Sequence, residues 1–414
     1  MSRFVYPFIT LIISILVYYF YFQLPAQVST TSSPITTTQD TTLQEQVIMS
    51  TTTTATTAAT TAAATVAKNF TSRLRPFYFV SHGGPTFMYR DDNFGDAGAW
   101  DVVTSIGKEI LADPPKALVV ISAHWQEESG SKFGAAFDKT TFPTVGVTST
   151  DGENSLIYDF YGFPAHMYKE QFHSKGDKAL AKRIAEKLQQ PNDNEPGFNV
   201  KLHGSRGFDH GLWVPLRIAF PEQSIKDRKN YVPFPIIQIS LPSSPYNMRS
   251  HAPTAVEYDT QISFRLGQLL HELRDRNGED VAIVCSGMSV HNLRDLFSMG
   301  GRVAPYASKF DKELKVAVEK GPTEGMLDRL TALFKTPITK SAHPTLEHLL
   351  PIAVAAGVDS VFKPEGTTFD DSLTKVPEAP ADPDVLGPID FKPKQLYSNT
   401  LLSLAWGIFK FGRN

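Results

Sequence analysis

Four short runs of apolar residues set the frame: Phe77–Val80, Ala117–Ile121, Pro235–Leu241 and Val281–Cys285. Each is apolar or nearly so throughout, with no regular polar alternation. A strand with one wet face alternates, whereas a strand covered on both faces does not. These runs therefore predict interior strands of a sheet buried on both sides. Amphipathic helical patterns lie between them. Residues 177–190 place Leu180, Ile184 and Leu188 on one face. Residues 261–276 do the same with Ile262, Leu266, Leu269, Leu270 and Leu273, and end at the stop signal Asn277-Gly278. Strands alternating with such helices predict an α/β fold: a single domain with a largely parallel central sheet flanked by helices.

The N-terminus reads differently. After Arg3, residues 4–22 carry no charge. At the rise of an α-helix this stretch covers about 28 Å, close to the hydrocarbon thickness of a bilayer. Its end is rich in Tyr and Phe, which suit a membrane interface. The expectation is an uncleaved N-terminal signal-anchor, a transmembrane helix within residues 1–27, and hence a single-pass, membrane-anchored protein; a cut near Leu24-Pro25-Ala26 is the alternative. Residues 28–71 are mostly Thr, Ser and Ala, too poor in apolar surface to offset the entropy of ordering, and read as a disordered linker. The folded domain is then residues 72–414. Arg3 precedes the span and no Lys or Arg follows until Lys68, which places the N-terminus in the cytosol. The cysteine-poor domain points to an intracellular position instead, so the side of the membrane stays open.

Composition narrows the partners. The chain carries 40 Lys+Arg against 43 Asp+Glu, so no charge excess suggests nucleic acid. Its one cysteine, Cys285, excludes a disulfide framework and a thiolate zinc site.

Histidines mark the chemistry. Three of the four apolar runs lead into one just past their ends: His82 in SHGGP, His124 in SAHW and His291 in SGMSVHN. In open α/β sheets function gathers at these carboxyl ends. His210 lies between glycines in GFDHG. His343 and His348 sit in HPTLEH, where Pro344 predicts the first turn of a helix and Pro351 a kink or restart. Taken singly, each has a plainer reading: a loop histidine bonded to backbone, His343 as a helix cap, Asp209 as a turn residue. Together, neutral imidazoles without cysteine suit one divalent ion, Zn²⁺ or Fe²⁺. Histidines beyond the ligand set supply acid and base near neutral pH. The aromatic loop DFYGFPAHMY offers Phe160, Tyr161 and Tyr168 either as the wall of a pocket for a flat substrate or as ordinary packing.

Six motifs, in order along residues 75–357, carry a resemblance: SHGGPTFMY, VVISAHW, DFYGFPAHMY, GFDHGLWVPL, SGMSVHNLR and HPTLEHLLP. The chain resembles the class III extradiol ring-cleavage dioxygenases (the LigB-like catalytic subunit), and within them the 4,5-DOPA extradiol dioxygenase branch. The resemblance implies a single α/β domain and an oxidoreductase that opens a small catecholic, DOPA-like ring with both atoms of O₂. It implies His82, His124 and His348 as metal ligands, His291 as the catalytic acid/base, and His210 as a second active-site histidine that contacts the substrate. The membrane segment, the Thr-rich linker, the long stretch 221–259 and the tail after Gly357 depart from that pattern. Two other readings stand beside it. One is a zinc-dependent hydrolase using the same ligands, which the absence of an H-E-x-x-H helix disfavours. The other is a non-enzymatic metal-binding interaction protein.

Overall fold

The computed structural model describes residues 74–127, 143–191, 197–225, 230–246, 249–320, 325–361 and 392–412. An eight-stranded sheet forms its centre, in the order β4-β3-β5-β2-β6-β1-β11-β8. The four predicted runs become β1 (Phe77–Ser81), β2 (Ala117–Gln126), β5 (Ile236–Leu241) and β6 (Val281–Gly287), which lie side by side and run parallel. Every residue of β1, β5 and β6 is buried, as continuous apolar runs require.

The sheet is parallel at its centre and mixed toward its edges. On one side β3 (Thr144–Thr148) pairs antiparallel with β5 and parallel with β4 (Asn199–His203). On the other, the C-terminal strand β11 (Ile408–Phe411) pairs antiparallel with β1, and β8 (Lys394–Tyr397) pairs antiparallel with β11 at the edge. A small second sheet links β7 (Val290–His291), β10 (Leu404–Ala405) and β9 (Thr400–Leu401).

Helices cover both faces. Phe77, Phe79, Val119, Ile121, Ile283 and Cys285 share one core with α2 (Lys178–Gln189), α4 (Pro253–Leu270) and α8 (Leu350–Ser360). Their buried neighbours along each strand point the other way, as strand alternation dictates, toward the layer of α1 (Ala97–Ala112) and α3 (His210–Ala219). Helices α5 (Pro305–Glu319), α6 (Met326–Phe334) and α7 (Pro337–Ala342) extend the first layer. Close helix contact rests on glycine: a Cβ on Gly267 would come within 1.9 Å of the Val354 carbonyl oxygen, so α4 and α8 approach backbone to backbone.

Local expectations meet mixed outcomes. Asp177 caps α2 by accepting the Leu180 N–H at 2.8 Å. Helix α4 begins at Pro253, before the predicted residue 261, and passes at Leu270 into a 3₁₀ turn, His271–Arg274. The helix expected from Pro344 does not form. Its backbone is used otherwise: the His348 carbonyl accepts the Met288 N–H at 2.9 Å, which ties the segment to the end of β6. His343 instead closes α7, and Pro351 opens α8 as a restart.

The predicted membrane span and the Thr-rich linker lie outside the described residues. Among those residues no helix is long and apolar enough to cross a membrane. The 18-residue α4 is the longest, and it carries Glu257, Asp259 and Arg265. The membrane-anchored localisation and the membrane partner expected from the sequence are corrected on that finding.

A candidate metal centre at the carboxyl ends of the strands

Register and glycine together build the site. Strand β1 ends at Ser81, opposite Gly287 of β6, so His82 leaves the sheet beside Ser286. Nδ1 of His82 lies 3.0 Å from the Ser286 hydroxyl, and Ser286 in turn donates to the Gly211 carbonyl. His124 sits near the end of β2. His210 is the first residue of α3, and Gly211 lets that helix start close in. A Cβ there would meet the Ser122 hydroxyl at 2.5 Å and the His124 ring at 2.7 Å.

The Nε2 atoms of His82 and His124 are 3.1 Å apart, and those of His124 and His348 are 3.2 Å apart. His210 joins the first pair in one group of potential donor atoms within 4.8 Å of one another, and Glu347 and His291 join His348 in another. His291 lies flat on His348, centroids 3.6 Å apart.

The outward nitrogens are tied down. Asp159 reaches Nδ1 of His124 with one oxygen at 3.2 Å. Its other oxygen lies 3.0 Å from Nδ1 of His210, out of line for a normal hydrogen bond, and accepts the His210 backbone N–H at 2.8 Å. Glu347 stands 3.3 Å from Nδ1 of His348 and is itself held by the Thr345 hydroxyl. Asp209 is more than a turn residue: its carboxylate takes hydrogen bonds from Ser122 at 2.6 Å and from Gln238.

Electrostatics favour the neutral form at four of the five imidazoles. Burial lowers the pKa of His82, His210 and His348, and the charge of His124 lowers each further. Burial and His348 do the same to His291. Burial also works against charge on His124, yet the hydrogen bond and charge of Asp159 outweigh it and raise that group. Burial pushes Asp159 up as well, but His124 and His210 hold it well below the usual carboxylate range.

This donor set fits a divalent metal. Zinc–imidazole bonds of about 2.0–2.1 Å in a tetrahedron put neighbouring nitrogens about 3.3–3.4 Å apart. The Nε2 spacings found here are close to that. The Nε2 atoms of His82 and His348 both approach that of His124, and each of the three rings has a hydroxyl or carboxylate beside its Nδ1, the kind of partner that supports a histidine donor.

The aromatic residues divide. Phe160 is buried, its ring 5.8 Å from His210, and Tyr168 stands 4.9 Å from it with its hydroxyl on the Phe160 carbonyl. Tyr161 is 62% exposed, and residues 161–164 fall outside the compact unit formed by residues 73–160 and 165–414. Sequence reasoning gave no role to Asp159, Ser286 or Glu347. Each stood within a quoted motif, and a carboxylate or hydroxyl behind a ligand histidine is the general signal that marks them.

Residues 76–370 match the family described as the catalytic LigB subunit of aromatic ring-opening dioxygenase. The chain belongs to this class III extradiol dioxygenase family. It is 32% identical to a 4,5-DOPA dioxygenase extradiol of Beta vulgaris, over 69% of this chain and 87% of that one. It is 30% identical to a 4,5-DOPA dioxygenase extradiol-like protein of Schizosaccharomyces pombe, over 70% and 87%. These relatives place it in the 4,5-DOPA extradiol branch of the dioxygenases. A crystal structure of an uncharacterized protein from Escherichia coli K12 shares the fold, with TM-score 0.50, 22% identity, and cover of 82% of this chain and all of that one. Extradiol dioxygenases of this family bind a catalytic metal, and the histidine cluster described here supplies the ligand types.

Proposed function

We propose that this chain opens the ring of a catechol, DOPA-like in size and shape, beside its two hydroxyls and with both atoms of O₂. One observation carries the reading: the Nε2 atoms of His82, His124 and His348 converge at 3.1 and 3.2 Å while their Nδ1 atoms are held from behind. In this reading those three residues hold one Fe²⁺ or Zn²⁺ ion. When bound, the ion would supply a Lewis acid that favours the catecholate over the catechol.

The protein does the rest. His291, kept neutral by burial and by His348, accepts a proton from a catechol hydroxyl as the substrate enters. Asp159 fixes the orientation of His124 and of His210 together. His210 faces the substrate and returns a proton as the ring opens. Phe160 and Tyr168 are the aromatic residues proposed to meet the ring, and the exposed Tyr161 is left out. Phe160 does so most directly, since its ring lies 5.8 Å from His210.

Isotope labelling tests the reaction type. With ¹⁸O₂ and a catechol, the ring-opened product gains both labelled atoms if the reading holds. Product carrying oxygen only from water would instead indicate hydrolysis on the same ligands.

A further inference from the structure

The tail at residues 392–412 lies beyond the family match, which ends at residue 370. It nevertheless reaches two of the histidine loops. Leu404 of β10 pairs with His291, and Ala405 pairs with Val290. The next residue, Trp406, is fully buried, with its ring 4.5 Å from Phe87. That ring lies so close to Gly83 that a Cβ there would stand 2.0 Å from it. Gly83 follows His82 directly and turns the chain with a φ of +57°.

Gly407 completes a hydrogen-bonded knot. Its carbonyl accepts from the Ser81 hydroxyl at 2.7 Å, and its N–H donates to the Ser289 hydroxyl at 2.9 Å. Ser289 donates its hydroxyl to the Ala405 carbonyl at 3.1 Å and its N–H to the Ser81 oxygen at 3.1 Å. Both serines are fully buried. Ser81 immediately precedes His82, and Ser289 stands two residues before His291. The knot has no slack, since a Cβ on Gly407 would lie 2.7 Å from the Ser289 side chain.

We propose that Trp406 and Gly407 are positioning residues that fix His291 relative to the His82 loop, with Ser81 and Ser289 as their counterparts. The proposal rests on the reading of His291 as acid/base. Anchoring of the tail has a separate source: β11 pairs with β1, and Phe409 and Phe411 fill the core there. The knot joins polar groups whose sequence neighbours are the site histidines, so its rigidity is felt at those rings.

The full-length chain tests this in four variants: Ser289→Ala, Trp406→Ala, Trp406→Phe and, as a control in β11 outside the knot, Ile408→Val. The readouts are kcat and KM, metal content after dialysis against a chelator, melting temperature, and long-range ¹⁵N–¹H spectra of the histidine rings. Ser289→Ala is expected to shift the His291 ring signals and lower kcat at least tenfold, with KM and metal content within twofold of the parent. Trp406→Ala is expected to add a loss of metal retention through the His82 loop, and Trp406→Phe to restore most of both. Ile408→Val is expected to lower the melting temperature and keep kcat. Unshifted His291 signals with parental kcat in Ser289→Ala and Trp406→Ala would overturn the proposal. So would a fall in kcat in Ile408→Val that matches theirs at equal loss of melting temperature. The ring spectra and metal retention do not depend on turnover. Absence of catechol cleavage by the parent chain would therefore count against the proposed activity and leave this test standing.

Discussion

His291 and His348 lie ring over ring, centroids 3.6 Å apart and 12° from parallel. The stack brings the proposed acid/base against a proposed ligand without using the ligand's Nε2, which faces His124. His291→Ala should therefore spare the metal while removing the proton acceptor. The expected result is metal content within about twofold of the parent and a fall in kcat of roughly 10²–10⁴, the usual contribution of a positioned acid/base. Elemental analysis beside steady-state kinetics checks it, and loss of metal in step with kcat would reassign His291 to the ligand set.

Asp159 is the residue most exposed to test, because it braces two histidines at once. Asp159→Asn keeps the shape and removes the charge. Metal affinity or activity is expected to drop about 10–100-fold, as for other partners behind ligand histidines. A competition titration with a chromophoric chelator measures it, and parental affinity together with parental kcat would contradict the bracing role.

Metal removal and return should be visible in stability. A ligand that binds only the native state adds about 2.7 kcal/mol at a hundredfold excess over Kd. The chelated protein should melt lower, recover on adding Zn²⁺ or Fe²⁺, and lose that recovery in His348→Ala. Scanning calorimetry under anaerobic conditions tests this, and equal recovery in parent and variant would place the ion elsewhere.

The contribution of one buried carboxylate, Asp259, should fall as pH rises through the mildly acidic range, against the opposite trend set by the histidines whose pKa is lowered. Asp259 on α4 is fully buried and neither carboxylate oxygen has a hydrogen bond of normal geometry, although Ser244 is near enough to oppose the shift. Burial pushes its pKa from 3.8 up to about 7. Between those values the native state holds a proton that the unfolded chain has released, so the contribution of Asp259 drops with rising pH across that window and levels off above it. One such group contributes at most ~4 kcal/mol. Denaturant melts from pH 4 to 8 should show the stability of the parent relative to Asp259→Asn falling as pH rises. The same slope in both proteins would remove Asp259 as the cause.

The sequence carried the centre of the fold and missed its margins. Runs such as Ala117–Ile121 are buried on both faces, and their patterning has one reading. Strand β4 is half-buried or exposed at every position, and β3 is five residues with a glycine at its middle, so neither stands out from loop sequence. The tail strands pair with β1 and β7 across more than a hundred residues, a contact no local pattern encodes. The five site histidines were legible because each follows a strand or sits in a motif. Asp159 was not, since its role depends on a loop folding back over α3 to meet His124 and His210. The helix expected at Pro344 failed for a related reason: that backbone serves the end of β6.

The central claim is ring opening with O₂ at the histidine cluster. Its most direct measurement is oxygen uptake by the full-length protein, loaded anaerobically with Fe²⁺ or Zn²⁺ and given a panel of catechols that includes DOPA. The account predicts metal-dependent uptake of one O₂ per catechol consumed, with a new yellow absorbance from the ring-opened product, abolished by His348→Ala. A fully metal-loaded protein that consumes no O₂ with any catechol would contradict it.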